Sequence, residues 1–375
     1  MKRIIIIGAT GSIGRQSIDI ISKHSDLFTI SAISAHHDEK GLLKISSAYP
    51  EALMCLSGTK PSSTSIRYSG SDGLLRLLED VDADIVLNAA AGAAGLEPSF
   101  TALRSGKNLA LANKETIVMA GRLVLKAALQ AGKRILPVDS EHSAIFNMIE
   151  RFGKSAVRGV IITASGGAFR DTPLDTLHGV TAKQALAHPT WNMGAKITID
   201  SASMANKGLE VIEAARLFNL SPLDIEVVIH PESKVHSFIR TRDGSLYAQM
   251  SMPDMRIPIL NALAWPEMVD ETVADMKPSN TQLHFYAPDP VRYPMLNLAF
   301  ESLKAGEGST NAYNAANEIA VEAFMNGRIG FTEIPVLVEK TLNSSFPAVL
   351  DDLDAVREID LKARKLTKKN LEETR

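Results

Sequence analysis

The fold is decided by Lys2-Arg3-Ile4-Ile5-Ile6-Ile7-Gly8-Ala9-Thr10-Gly11-Ser12-Ile13-Gly14. Four isoleucines make a short β-branched run that suits a buried strand. Three glycines follow at three-residue spacing, and a 3.6-residue apolar pattern begins at residue 15. Glycines let the chain turn tightly and let backbone N–H groups approach a pyrophosphate at the next helix N-terminus. The spacing is GxxGxxG, not the GxGxxG of the standard dinucleotide fingerprint. The reading therefore rests on the strand–turn–helix setting.

Working outward, residues 29–34, 85–88, 109–112 and 134–137 are further candidate strands, with helical spacing at 15–22, 73–79 and 98–105. Strands alternating with helices imply right-handed crossovers and a Rossmann-like, doubly wound parallel sheet. The pattern changes after residue 142. Segments 159–163, 225–230 and 245–250 suggest strands of a central α+β domain over residues 143–286. Pro288, Pro290 and Pro294 mark 287–308 as a connector, and helical patterns at 311–326, 331–343 and 350–371 suggest a C-terminal helical domain over 309–375. Residues 1–142 are then the nucleotide-binding domain.

A chain of 375 residues is too long for one ordinary core, which fits this division. Its 40 Lys plus Arg against 43 acids give a net charge of −3, so no global field attracts nucleic acid. Cys55 is the single cysteine, which excludes an internal disulfide and fits a reducing compartment. The N-terminus superficially resembles a signal peptide, but four isoleucines and a glycine loop are too short an apolar run. No segment approaches the ~20 apolar residues that span a bilayer. A cytoplasmic protein is expected.

Chemistry concentrates between residues 138 and 210. Asp139, Ser140 and Glu141 stand in VDSEHSAIF, and Glu210 follows in ITIDSASMANKGLEVIE behind Ser201, Asn206 and Lys207. Three carboxylates offer hard oxygen ligands for Mg²⁺ or Mn²⁺, with Co²⁺ also compatible. If 138–141 is extended, Asp139 and Glu141 share a face. If 205–218 is a helix, Asn206 and Glu210 are i, i+4 neighbours. The Ser/Asn/Lys cluster supplies hydrogen bonds and a positive charge suited to a phosphate monoester. Thr163-Ala164-Ser165-Gly166-Gly167 is a small-residue turn able to offer a hydroxyl and N–H groups to an anion. His188-Pro189-Thr190-Trp191-Asn192-Met193-Gly194 is a loop whose tryptophan can cover a site. The second strand ends in His36-His37-Asp38, where histidines can accept a 2′-phosphate, so NADPH is favoured over NADH.

In order along the chain, GATGSIG, LANKE, VDSEHSAIF, TASGGAFR, HPTWNMG, DSASMANKGLEVIEA, PDMRIPI and NAANEIAVEAF resemble the 1-deoxy-D-xylulose 5-phosphate reductoisomerase family. The resemblance implies conversion of 1-deoxy-D-xylulose 5-phosphate to 2-C-methyl-D-erythritol 4-phosphate in non-mevalonate isoprenoid synthesis, with NADPH and a divalent metal. It also implies a homodimer formed through the central domain. Carried over by position, it makes Asp139, Glu141 and Glu210 the metal ligands, and Ser165, Ser201, Asn206 and Lys207 the phosphate grip. Ser140, Lys114 and His188 would face the substrate's hydroxyl and carbonyl groups. Thr10, Gly11, Ser12, Ile13, Asn113, Glu115 and Gly194 would contact the cofactor, and the strand-end position adds His37. The family commonly has a Gly-Lys/Arg-Asn type segment where this chain has His36-His37-Asp38, and HPQSxVHS where it has HPESKVHS. A related metal-dependent NADP reductase of another phosphorylated sugar or acid is the rival reading.

Overall fold

The computed structural model describes residues 1–187, 191, 193–270 and 273–373. The chain divides into two compact units. One holds Met1–Thr116, Val124–Ser143 and Asp254–Val273; the other holds Ile117–Leu123, Ala144–Pro253 and Ala274–Arg375.

In the first unit the strands are β1 (Lys2–Ile7), β2 (Phe28–Ala35), β3 (Leu53–Leu56), β4 (Tyr68–Ser69), β5 (Ile85–Asn88), β6 (Asn108–Leu111) and β7 (Ile135–Pro137). They form one sheet in the order β4-β3-β2-β1-β5-β6-β7, with every pair parallel. Ile4 to Ile7 are at most 2% exposed, which explains a run without polar alternation: helices cover both faces. Burying each such side chain contributes about 1.5–3 kcal/mol. The strand order reverses between β1 and β5, and an open α/β sheet binds its ligand at such a switch point, beyond the strands' carboxyl ends. The glycine turn sits there. Gly8 has φ +79°, and a Cβ on Gly14 would lie 2.3 Å from the Gly8 carbonyl oxygen, so the turn tolerates no side chain at either position.

Segment Asp254–Val273 returns to this unit through the helix Arg256–Ala264. Lys2 Nζ donates to the carbonyls of Leu263, Ala264 and Trp265 at 3.0, 2.8 and 2.7 Å, a cation closing a helix C-terminus.

In the second unit β8 (Val157–Ala164), β9 (Ile225–Ile229), β10 (Val235–Thr241) and β11 (Leu246–Met250) form a mixed sheet in the order β11-β10-β8-β9. β10 is antiparallel to both neighbours, while β8 and β9 are parallel. The helix Ala205–Leu217 packs Val211, Ala214 and Ala215 onto Val160, Ile162 and Val227 of this sheet. Helices Glu307–Met325, Glu333–Leu342 and Leu353–Glu373 follow, as the apolar spacing near the C-terminus predicts.

Two sequence expectations change. Residues 294–305, inside the expected connector, form the helix Pro294–Ala305, because Pro294 occupies the first turn, where its missing N–H is not needed. The segment around Asp139 is extended only as far as the end of β7, and Ser140–Phe152 is a helix. The alternation argument for Asp139 and Glu141 therefore does not apply.

Candidate active site

In the first unit, Asn113 caps the helix Lys114–Ala131. Its side-chain oxygen accepts from Thr116 N at 3.0 Å and Thr116 Oγ1 at 2.6 Å. Its Nδ2 donates to the carbonyls of Ala90 and Gly92 at 2.9 and 2.8 Å, tying the cap to the loop after β5. The Asn113 side chain is thus committed to holding backbone in place, and it carries Lys114 and Glu115 at the start of a well-anchored helix. Lys114 is buried and its Nζ lies 2.6 Å from Asp139 Oδ2. Asp139 directly precedes the helix Ser140–Phe152, with His142 Nδ1 at 3.8 Å from Oδ2. Ser140 Oγ donates to Glu141 Oε2 at 2.6 Å. Asp139 and Glu141 each present a carboxylate oxygen within 4.8 Å of the other, close enough to share one cation although the backbone there is not extended.

Around the glycine turn, Thr10, Gly11, Ser12 and Ile13 lie where β1 gives way to the helix Ser12–Lys23. Gly11 is its N-cap and forms no side-chain capping bond. A glycine cap has no side chain to accept from the first-turn amides, the arrangement that suits an anion at a helix N-terminus. At the end of β2, Asp38 Oδ1 accepts from Gly41 N at 2.9 Å, capping the helix Glu39–Ser46. The Glu39 carboxylate accepts from Ser62 N, Ser63 N and Ser62 Oγ. Both acids are occupied by donors of the protein itself. His36 and His37 remain exposed, with ring centroids 4.0 Å apart and His36 Nδ1 3.1 Å from Ser57 Oγ. Partial burial, then the neighbouring His37, lowers the His36 pKa.

In the second unit, β8 leads into the Ser165-Gly166-Gly167 turn, where both glycines have positive φ. A Cβ on Gly167 would lie 2.5 Å from the Ser201 carbonyl oxygen and 2.6 Å from Ala202 Cα. Only glycine permits this approach, which sets the Ser165 turn against the helix Ala195–Ser203 that carries Ser201. Gly194 is the N-cap of that helix. Met204, in the left-handed region at φ +62°, separates it from the helix Ala205–Leu217. On the first turns of the latter, Asn206 Nδ2 donates to Glu210 Oε1 at 2.5 Å, and Lys207 Nζ pairs with Glu210 Oε2. The expected i, i+4 relation of Asn206 and Glu210 is present. Trp191 and Met193 are partly buried, and His188 lies outside the described residues.

Sequence reading passed over two histidines of this unit. His230 Nε2 accepts from the backbone of Lys234 and Val235 at 3.2 and 3.1 Å, so its Nδ1 carries the proton and donates to the His284 carbonyl. His236 Nε2 lies 2.8 Å from Ser251 Oγ. Burial, then His230 and Lys207, pushes the His236 pKa down to about 4, which places it in the electrostatic reach of Lys207. The available signal was the HPESKVHS spacing, which puts one histidine at the start of the loop after β9 and the other in β10.

A doubly wound sheet with a glycine turn and two neighbouring carboxylates in one unit, and a Lys/Asn/Ser cluster in the other, are the features of a nucleotide-dependent, metal-assisted enzyme for a small anionic substrate. Residues 4–121 match the family model described as 1-deoxy-D-xylulose 5-phosphate reductoisomerase, residues 135–218 its C-terminal domain, and residues 250–366 a DXP reductoisomerase C-terminal domain. A 1-deoxy-D-xylulose 5-phosphate reductoisomerase of Pseudomonas putida is 43% identical over 384 residues, covering 98% of this chain and 96% of its own. That of Treponema denticola is 42% identical, covering 97% and 95%. The Zymomonas mobilis enzyme, solved in complex with NADPH, superposes with a TM-score of 0.91 at 39% identity over 99% of both chains. A DOX-P reductoisomerase in complex with NADPH, fosmidomycin and magnesium gives 0.90 at 37%, covering 99% of this chain and 98% of its own. The chain belongs to the 1-deoxy-D-xylulose 5-phosphate reductoisomerase family.

The depressed His236 pKa has a consequence for stability. The folded protein keeps this ring neutral, whereas the unfolded chain protonates it near the ordinary ~6.5. The contribution is complete above that value and is lost as pH falls through about 4. It amounts to roughly 3 kcal/mol. Urea unfolding between pH 7 and 4 should show wild type losing more stability than His236→Asn by about this amount. Parallel pH profiles for the two proteins would remove His236 as the cause.

Proposed function

We propose that this chain converts 1-deoxy-D-xylulose 5-phosphate to 2-C-methyl-D-erythritol 4-phosphate, using NADPH and a divalent metal. The observation that carries the reading is Glu210 held by Asn206 and Lys207 on one helix, a buried carboxylate beside the groups that suit a phosphate. Full-length similarity to reductoisomerases solved with NADPH, fosmidomycin and magnesium supports it.

Asp139, Glu141 and Glu210 fit a hard divalent ion, since all their donors are carboxylate oxygens. When bound, that ion draws electron density from the substrate's carbonyl, and NADPH supplies the reducing equivalent. Lys114, Ser140 and His188 orient the carbonyl and hydroxyl oxygens. Ser165, Ser201, Asn206 and Lys207 grip the phosphate, where one charge-assisted contact contributes about 1.5–3 kcal/mol. This grip lies away from the reacting carbons, so its binding energy is available to draw the Trp191–Met193 loop over the site and exclude water. Thr10, Gly11, Ser12, Ile13, Asn113, Glu115 and Gly194 line the cofactor's path.

NADPH is preferred over NADH: Asp38 Oδ1 caps a helix and the Glu39 carboxylate is bonded to Ser62 and Ser63, which leaves these acids fewer acceptor sites for ribose hydroxyls. His37, with His36 beside it, takes the 2′-phosphate. The protein is a cytoplasmic homodimer; the buried, unpaired Cys55 suits a reducing compartment. β11 is the edge of its sheet and exposes Leu246, Tyr247 and Met250, with Phe152 against Tyr247, an apolar edge suited to a second copy.

Incubation with 1-deoxy-D-xylulose 5-phosphate, NADPH and Mg²⁺ should yield 2-C-methyl-D-erythritol 4-phosphate by NMR. A reduced product with an unrearranged skeleton would favour the rival reductase. Chelation should abolish turnover, and Glu210→Gln should lower kcat by about 10²–10³-fold in the protein that folds, which circular dichroism checks. Undiminished turnover after chelation would remove the metal from the mechanism. His37→Gln should raise the KM for NADPH while leaving that for NADH unchanged. Equal effects on both cofactors contradict the role given to His37. Sedimentation should show a dimer that Tyr247→Lys weakens, and a wild-type monomer at micromolar concentration would refute the assembly.

A further inference from the structure

Asp200 is a buried carboxylate with no part in the chemistry proposed above. It lies on the helix Ala195–Ser203 with its side chain 1% exposed. Lys196 Nζ sits 3.0 Å from its Oδ2, one turn earlier on the same helix. Asn317, on the long helix Glu307–Met325, donates from Nδ2 to its Oδ1 at 2.8 Å. Asn317 is itself fully buried, and its own side-chain oxygen has no hydrogen-bond partner among the described residues.

Such an arrangement is a poor way to gain stability. Burying a carboxylate and leaving an amide oxygen unsatisfied both cost free energy, and matched apolar side chains would pack at such a position without either cost. What the contact does supply is direction. Asp200 is drawn toward Asn317, so the roll of its helix is fixed. Ser201, the next residue, projects about 100° further round. The same short helix begins at Gly194, where the tryptophan-bearing loop ends, and meets the Gly167 turn through the backbone of Ser201 and Ala202.

The structure assigns Asn317, acting through Asp200, as a positioning residue for the phosphate-binding edge of the site. It sets the helix roll that aims Ser201 and registers the Ser165 turn against it. This rests on the reading that Ser201 and Lys207 hold the substrate's phosphate.

The test compares wild type, Asn317→Asp, Asn317→Ala, the exchange Asp200→Asn with Asn317→Asp, and Lys207→Ala. Binding of inorganic phosphate is measured by calorimetry without metal or cofactor, and KM and kcat are measured separately. Asn317→Asp opposes two buried carboxylates; it should weaken phosphate binding and raise the KM for the phosphorylated substrate about tenfold, with the KM for NADPH unchanged. The exchange restores one donor facing one carboxylate and should recover most of the loss. Asn317→Ala reads the same contact if Asn317→Asp does not fold. The inference is overturned if the Asn317 variants bind phosphate as wild type does while Lys207→Ala does not. It is equally overturned if a folded exchange variant recovers nothing. Unchanged phosphate binding in Lys207→Ala would instead overturn the placement of the phosphate site itself.

Discussion

The second unit depends on a buried ion pair. Glu210 and Lys207 have side chains 1% and 4% exposed, and removing one partner of such a pair leaves an uncompensated charge costing about 3–5 kcal/mol. Their contact needs i, i+3 spacing on a helix that begins at Ala205. That start in turn needs the left-handed turn at Met204, which separates two consecutive helices and lets each present its own polar residues. The closeness of Gly167 to Ser201 and Ala202 then fixes where the Ser165 turn ends. One electrostatic requirement thus propagates through a helix start, a backbone turn and a glycine contact.

A parallel logic runs through the first unit. Lys114 and Asp139 are both substantially buried and face each other at 2.6 Å. Each is placed by backbone whose own bonds are satisfied: Asn113 caps the helix behind Lys114, and β7 delivers Asp139 at the carboxyl end of the sheet. Side chains on such starts lose little further entropy when they meet a ligand, because the surrounding hydrogen bonds have already fixed their backbone.

The sequence is most legible where a single rule governs. β1 and β5 are visible because a strand covered on both faces needs an unbroken apolar run, and the switch point follows from their order. β3 and β4 escape notice because four residues with Met and Cys, then two more, carry too little periodicity. β10 is hidden because His236 and Ser237 are buried in it, contrary to their usual exposure. The helix Lys114–Ala131 is masked by its own kink. Ala120 leaves helical geometry, and Arg216 reaches across to the carbonyls of Ile117 and Val118 at 2.6 and 2.5 Å. Composition shows the polar residues of the candidate site, but it does not show Asn113 committed to capping or Asp38 and Glu39 committed to backbone donors. Those are facts of tertiary geometry.

The commitments of Asp38 and Glu39 show how a site can be shaped by what is withheld from it. An acid at the end of β2 would ordinarily accept from a ribose and repel a phosphate. Here Asp38 caps a helix and Glu39 ties down the Ser62–Ser63 backbone, which lowers the Glu39 carboxylate's pKa and keeps its charge directed inward. The exposed polar groups at the strand end include the imidazoles of His36 and His37. The two lysines near the carboxylates follow the same economy. Each balances negative charge within its own unit, and each remains a cation placed beside oxygen-rich chemistry. Selectivity then comes from which charges the fold has already paired, as much as from which residues are present.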